Sequence, residues 1–420
     1  SDIIKFDELP ILFGNFSQVS EETLWIKSWK NPFKISSAGL LSRDGENELY
    51  LMGKRSKSRY RTFWENITYA SNVVDFSSSS ASRAGQSGFA YALGLFEGQG
   101  SLGKSSLQSV FMHTEPTGLD KELAMKKACP KWRSTIARST NHEMITYIKE
   151  KISPIANRIT EKLGITPPLK PIHVDHIHRA CGFEVAFFRN TTTWCSLLTD
   201  ADLLTMEYFN DMHHYYLYSY GNRLNSLMAC QLITSFVRTV DNGLAGKAKF
   251  KSVLRFAHAE TIYFLMTLLN LNKDKHLLKA KDPQEKIASR KFRSSLIQPF
   301  AANIYFEIYK CSSLSSLTAI NDNKKSRHHK RRRLLSIEDD YNYPNNDNDE
   351  TFVQLLYNEQ PTQIPGCEDD DNQNGHIQLF CPWSKFKKIL NKYIGCDLEG
   401  ICRIKKRAKS FIREKHFHFN

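Results

Sequence analysis

The pattern of apolar and polar positions changes its period within residues 252–271. Residues 252–256 (SVLRF) contain a short apolar run typical of a buried strand, whereas the apolar positions of 261–269 recur at helical spacing. His258 and Glu260 lie at the turn between them. The carboxyl end of a strand in an open α/β sheet is a usual ligand position, and a helix N-terminus there favours an anion. This turn therefore indicates phosphate chemistry, unless Glu260 only complements the helix dipole.

A second unit with the same layout is predicted upstream. Residues 72–76 are predicted to form a strand, the serine run 77–80 a loop, and 89–96 part of a helix. Two such units side by side would bring Arg83 and His258 to the same edge of a sheet. A guanidinium there can bind phosphate through two parallel hydrogen bonds, whereas the alternative is an ordinary surface arginine.

The remaining pattern is helical in the middle of the chain and returns to strands later. We predict an α/β fold, in which a sheet is flanked by helices and carries an inserted, mainly helical domain. Residues 291–309 are predicted to form a helix or strand on the sheet, and 352–356 a final strand. The predicted division is an α/β core in 1–118, a helical cap domain in 119–242, a second core part in 243–320, a disordered charged insertion in 321–350, the end of the core in 351–402 and a basic tail in 403–420.

Length and charge limit the classes of function. A chain of 420 residues with 41% hydrophobic content can bury a sizeable core. Its 58 Lys and Arg against 44 Asp and Glu leave a net charge of +14, which favours anionic partners: phosphorylated small molecules, sulfated glycans, nucleic acid or an acidic membrane surface. No apolar run approaches the roughly twenty residues that cross a bilayer.

Nine cysteines and three N-glycosylation sequons favour an oxidising, secretory environment. The sequons begin at Asn15, Asn66 and Asn190. Cys396 and Cys402 are close enough in sequence to staple a short loop, and so are Cys367 and Cys381. The odd count means that one thiol is free or has its partner outside this chain.

No metal or cofactor site is predicted. His176 and His178 could present two imidazoles on one strand face, but no carboxylate and histidine partners recur at a recognisable metal-ligand spacing. The glycines of 98–103 have the spacing of a dinucleotide fingerprint, but they do not follow a predicted strand or open a helix.

At residues 258–261 (HAET) the chain resembles the histidine acid phosphatases, specifically the multiple inositol polyphosphate phosphatase branch. The resemblance covers nearly the whole chain except 321–350. Further matching positions, in the family's order, are 40–45, 80–94, Trp194, Cys195, 207–211, 220–221, 225–226, Cys230, 291–294, Pro299, Asn303, Cys311, Cys396 and Cys402.

This resemblance implies roles for three residues. Arg83 would bind the transferring phosphate, His258 would be the second phosphate-binding histidine, and Glu260 would be the general acid that protonates the leaving inositol oxygen. The family's nucleophile is a histidine in an Arg-His-Gly-x-Arg-x-Pro motif, which forms a phosphohistidine that water hydrolyses without a metal. That motif is absent here, so the sequence is interpreted as a fragment that begins downstream of it. The chain has Ala84 where the family often has Cys, and it lacks the family's endoplasmic reticulum retention signal.

The function implied by the resemblance is a phosphomonoesterase of the secretory pathway: in the endoplasmic reticulum lumen, secreted or at the cell surface. Its substrates would be inositol polyphosphates, with 2,3-bisphosphoglycerate as a second substrate, and it would need no cofactor and bind no nucleic acid. The alternative is a catalytically inactive, anion-binding secretory protein, because the nucleophile motif is missing. The basic tail 403–420 is predicted to contact an anionic membrane or glycan.

Overall fold

A computed structural model describes residues 2–13, 21–137, 141–248, 250–311, 350–368 and 378–404. The fold is mixed α/β, as the sequence predicts. The strands are β1 Val74–Ser79, β2 Met112–Glu115, β3 Ser252–Phe256, β4 Ile304–Cys311, β5 Glu350–Tyr357, β6 Gln360–Thr362 and β7 Phe380–Pro382. The α-helices are α1 Asp2–Leu12, α2 Trp25–Ser28, α3 Arg43–Arg59, α4 Arg61–Glu65, α5 Ser82–Leu95, α6 Met125–Ala128, α7 Pro130–Thr135, α8 His142–Tyr147, α9 Ser153–Leu163, α10 Pro171–Phe188, α11 Asp200–Tyr218, α12 Asn225–Met228, α13 Cys230–Leu244, α14 Ala259–Leu268, α15 Gln284–Ser289, α16 Ser294–Ile297, α17 Trp383–Leu390 and α18 Leu398–Cys402.

A parallel sheet in the order β2-β1-β3 positions the two predicted strand–turn–helix units side by side. In its register, Val74 lies opposite Ser252 and Ser78 opposite Phe256. One prediction is wrong here, because the serines 77–79 belong to β1 rather than to a loop. They are buried, and the Ser78 hydroxyl donates to the carbonyl of Ser79 at 3.1 Å. A small side chain whose hydroxyl is hydrogen-bonded can occupy a buried strand. The polar composition of the serine run therefore does not exclude a strand.

Two glycines allow α3 and α5 to pack backbone against backbone beside this sheet. A Cβ atom at Gly53 would lie 2.1 Å from the carbonyl oxygen of Tyr91, and a Cβ atom at Gly94 would lie 2.0 Å from that of Tyr50. Both distances are far below van der Waals contact, so a side chain at either position would push the helices apart. The close contact fixes α5, which carries Arg83, against α3.

Among the described residues no strand lies between Glu115 and Ser252, where α6 to α13 are found. The main apolar core extends from these helices to the antiparallel sheet β4-β5-β6, in which β7 also pairs with β5. Phe236 of α13, for example, stacks on Phe306 of β4 with ring centroids 4.4 Å apart. The strand predicted at 352–356 is therefore part of a separate sheet, and it is not the last strand. The domain boundaries stay a prediction, and residues 321–349 and 405–420 lie outside the described residues.

Four disulfides are present, of which two close short loops and two join distant parts of the chain. The bonded pairs are Cys129 with Cys402, Cys181 with Cys195, Cys230 with Cys396, and Cys367 with Cys381. The pairing of Cys367 with Cys381 agrees with the spacing, but the expected Cys396–Cys402 staple is wrong. These two cysteines flank the start of α18 and bond to partners 166 and 273 residues upstream instead. Cys311 is the leftover thiol and is exposed.

A half-buried histidine on α11 makes stability depend on pH. His214 stacks on Tyr218 and on Tyr263, and its Nδ1 lies 3.1 Å from the Ser294 hydroxyl. Burial lowers its pKa to about 3, with smaller contributions from His213 and Arg179. In the unfolded chain this histidine binds a proton below pH ~6.5, whereas in the folded chain it does so only below pH ~3. The free energy of unfolding therefore decreases as the pH falls from ~6.5 to ~3.

We expect a His214→Phe variant to lose less stability on acidification than the wild type. In the wild type, His214 alone should make the free energy of unfolding about 2 kcal/mol lower at pH 5 than at pH 7. Urea denaturation at both pH values measures it, with the exposed His142→Phe as the matched control. Equal pH dependence in wild type and His214→Phe would contradict this assignment.

No helix within the described ranges is long and apolar enough to cross a membrane.

Candidate active site

A cavity opens where the carboxyl ends of β1 and β3 meet the N-termini of α5 and α14. Arg83 is the second residue of α5, and His258 precedes the first residue of α14 in an extended conformation. Two helix N-termini at one cavity favour an anion, because their free N–H groups carry partial positive charge. The lining residues are Arg83, Leu123, Ala124, Met125, Lys126, Lys127, His258, Glu260, Thr261 and Phe264.

Both ring nitrogens of His258 have partners. A guanidinium nitrogen of Arg83 lies 3.3 Å from Nδ1, and the Ser79 hydroxyl lies 2.9 Å from Nε2. Because a guanidinium can only donate, Nδ1 must accept, which assigns the proton to Nε2, donating to Ser79. Burial lowers the pKa of His258 to about 4, and the nearby charges of Arg83, Lys126 and Lys127 contribute further. The imidazole is therefore neutral at pH ~6.

The segment 120–129 forms a further part of the cavity wall, and a hydrogen bond and an ion pair hold it against α14 and β3. The Thr261 hydroxyl donates to the carbonyl of Leu123 at 2.8 Å, and Arg255 pairs with Glu122 at 3.1 Å. The Cys129–Cys402 disulfide closes the end of the segment. As a result the helix α6 presents Lys126 and Lys127 to the cavity.

The charges at the cavity are three cationic side chains and one carboxylate. Lys126 donates to Glu260, and its ammonium also lies 5.5 Å from the ring centroid of Tyr218. Burial lowers the pKa of Lys126, and Lys127 and Arg83 lower it further. Three positive groups that repel each other in a partly desolvated space create a strong attraction for a multiply charged anion.

The structure brings together the three residues that the sequence analysis singles out for phosphate chemistry: Arg83, His258 and Glu260. Their catalytic roles stay predictions. Of the predicted glycosylation sites, Asn66 is exposed, while the side-chain nitrogen of Asn190 donates to Thr193 at 3.0 Å. Asn15 lies outside the described residues. Glycosylation in the secretory pathway stays a prediction, which a mobility shift of the cell-derived protein on N-glycosidase treatment would check.

His176 and His178 lie on the helix α10 rather than on a strand, so that expectation is wrong. Within the described ranges, no group of three or more potential metal-ligating side chains is found.

The sequence does not predict three polar residues of the site: Lys126 and Lys127, which line the cavity, and Ser79, whose hydroxyl contacts His258. Nothing in the sequence distinguishes Ser79 from the other serines of 77–80. The two adjacent lysines lie in a segment that the sequence predicts only to be helical, and tertiary bonds of that segment bring them to α14.

A model of the histidine phosphatase superfamily, branch 2, matches residues 10–358. The chain belongs to this family. The multiple inositol polyphosphate phosphatase 1 of Dictyostelium discoideum is 27% identical to this chain over 429 aligned residues, which cover 90% of the chain and 61% of that protein. The chain thus spans less than two thirds of that relative's length.

Two solved structures show the same histidine phosphatase fold. The phytase from D. castellii superposes with a TM-score of 0.70 at 13% identity, covering 96% of this chain and 77% of that one. The Bifidobacterium longum multiple inositol polyphosphate phosphatase, in complex with phosphate, superposes with a TM-score of 0.59 at 13% identity, covering 87% and 82%. At this identity the likeness concerns the fold alone.

Proposed function

We propose that this chain forms the phosphate-binding and proton-donating part of a phosphomonoesterase that acts on inositol polyphosphates, with 2,3-bisphosphoglycerate as a second substrate. The observation that carries the proposal is the convergence of Arg83, His258 and Glu260 in one cavity with two further cations. The family membership and the names of the relatives support the same reading.

In the proposed reaction, Arg83 binds two oxygens of the scissile phosphate and stabilises the charge that develops on them. His258 donates to a third oxygen after the phosphate displaces one of its present partners. Glu260 gives a proton to the leaving oxygen of the inositol ring, which would otherwise depart as an unstable alkoxide. The family resemblance implies that the histidine of an Arg-His-Gly-x-Arg-x-Pro motif takes up the phosphoryl group and that water then hydrolyses the phosphohistidine.

The edge of the parallel sheet supports the expectation of a further element beside the cavity. Within the described residues β3 is an edge strand, and its apolar residues Val253, Leu254 and Phe256 are only half-buried. An edge of this kind exposes unpaired backbone groups next to His258. We propose that the segment with the nucleophilic histidine pairs here.

The experiment is phosphate release from inositol hexakisphosphate by the full-length protein, together with sequencing of the transcript upstream of Ser1. An Arg-His-Gly-x-Arg-x-Pro motif upstream and release of phosphate would support the enzyme. A verified start without that motif, combined with tight binding of inositol hexakisphosphate and no turnover, would favour the alternative of an inactive anion-binding protein.

We expect Arg83→Met to weaken the binding of inorganic phosphate by about tenfold to a hundredfold, because a charge-assisted, bidentate contact is lost. Isothermal titration calorimetry measures the affinity. Arg133→Met, at an exposed position outside the cavity, is the matched control. Similar affinities in Arg83→Met and the control would remove Arg83 from the phosphate site.

A further inference from the structure

The ion pair between Lys126 and Glu260 conflicts with the role proposed for Glu260. A general acid must carry a proton before it can donate one, whereas an ammonium in contact with a carboxylate favours the ionised form. The contact with Lys126 therefore opposes the protonation that the proposed role of Glu260 requires. Some event on binding must separate the two groups.

The position of Lys126 indicates what that event is. Its side chain is 26% exposed and that of Glu260 is 17% exposed, so the pair is shielded but remains within reach of a ligand in the cavity. Lys126 on α6 and Arg83 on α5 line the same cavity, and the charge of Arg83 is near enough to help lower the pKa of Lys126. A ligand with one phosphate at Arg83 can therefore reach Lys126 with a second phosphate.

We propose that Lys126 is a substrate-sensitive counter-ion of Glu260, which a second phosphate group of the substrate draws away. The inference rests on the proposed function and adds a basis for substrate selection to it. A phosphate dianion attracts the ammonium more strongly than a single carboxylate does. Once Lys126 turns to that phosphate, the Glu260 carboxylate takes one proton from solvent and can then donate it to the leaving oxygen.

The groups around Glu260 agree with this sequence of events. Lys126 and Lys127 face it from α6, Arg83 from α5 and His258 from the end of β3. The bound phosphates neutralise these cations, which removes the electrostatic cost of protonating Glu260 among them. A monophosphate occupies only the Arg83 end and leaves Lys126 on Glu260. The device therefore favours substrates with two or more neighbouring phosphates.

The first test compares inositol hexakisphosphate with inorganic phosphate as calorimetric ligands. We expect Lys126→Met to lower the ratio of the two affinities by about tenfold, because only the larger ligand reaches Lys126. Lys131→Met, an exposed lysine outside the cavity, is the matched control. An unchanged ratio, or equal weakening of both ligands, would overturn the proposal. Lys126→Gln, which keeps a donor for Glu260, is the second variant if Lys126→Met does not fold.

The second test counts protons. Titrations at pH ~6 in two buffers of different ionisation enthalpy give the protons taken up with inositol hexakisphosphate. Wild type should take up more protons than Lys126→Met, and Glu260→Gln should abolish that difference. Uptake that is the same in wild type and Lys126→Met would contradict the release of Glu260. If wild type binds neither ligand, the proposed function fails; if it binds both and only the ratio is insensitive to Lys126, this inference alone fails.

Discussion

Replacing Glu260 by Ala in the full-length protein should lower the turnover of inositol hexakisphosphate by about a hundredfold to ten-thousandfold, the usual contribution of a positioned general acid. The leaving inositol oxygen is a poor leaving group, so it depends on a proton delivered in the transition state. Binding of the substrate should not weaken, because Glu260 makes no proposed contact with phosphate and its removal frees Lys126 for the second phosphate. Steady-state kinetics with a phosphate-release assay measures both quantities.

A second substrate separates proton donation from general damage to the site. The nitrophenolate of p-nitrophenyl phosphate leaves without a proton, so Glu260→Ala should reduce its turnover far less. Glu65→Ala, which removes an exposed carboxylate paired with Arg61 on α4, is the control for folding and should be neutral on both substrates. Equal losses on the two substrates, or unchanged turnover of both, would remove Glu260 from the acid role.

The arrangement of Arg83 and His258 could be predicted from the sequence because it follows from a local rule. Two strand–turn–helix units whose strands pair in parallel must place their turns at one edge of the sheet. The apolar period of 252–256 and 261–269 was sufficient to locate one unit, and 72–96 the other. The placement of Arg83 and His258 at one edge of the sheet thus follows from the local pattern of these two units.

Lys126 could not be predicted in the same way. Its position depends on the Cys129–Cys402 disulfide and on the Thr261–Leu123 hydrogen bond, whose partners are 273 and 138 residues apart. Neither contact leaves a periodic signal in the sequence. Cysteine connectivity shows the same limit, since proximity along the chain suggests a Cys396–Cys402 bond, while the fold pairs each of them with a cysteine far upstream. The spacing of apolar residues thus predicts the type of a single helix or strand. The part of the cavity wall that carries Lys126 depends instead on contacts between elements.

A buried ion pair in the helical region depends on similar long-range contacts. Asp211 on α11 is fully buried, and its carboxylate accepts from Arg290 at 2.6 Å and from the Ser294 amide at 2.6 Å. Arg290 also contacts Glu207 at 3.0 Å. Burial raises the pKa of Asp211, and the bonds to Arg290 and Ser294 oppose the rise. The pair is therefore costly to bury and stable only while both partners are present.

Asp211→Ala should consequently reduce the free energy of unfolding by about 3–5 kcal/mol, because it leaves the Arg290 charge buried with one carboxylate fewer. The double variant Asp211→Ala, Arg290→Leu should recover much of this loss, since neither charge is then desolvated. Urea denaturation of the three proteins measures the effect, with Glu65→Ala at the exposed Arg61–Glu65 pair expected to cost under about 1 kcal/mol. If the double variant is as unstable as the sum of its single variants, the two charges do not act as a pair. The network would then stabilise α16 mainly through the Ser294 amide, which Asp211→Asn preserves and Asp211→Ala does not.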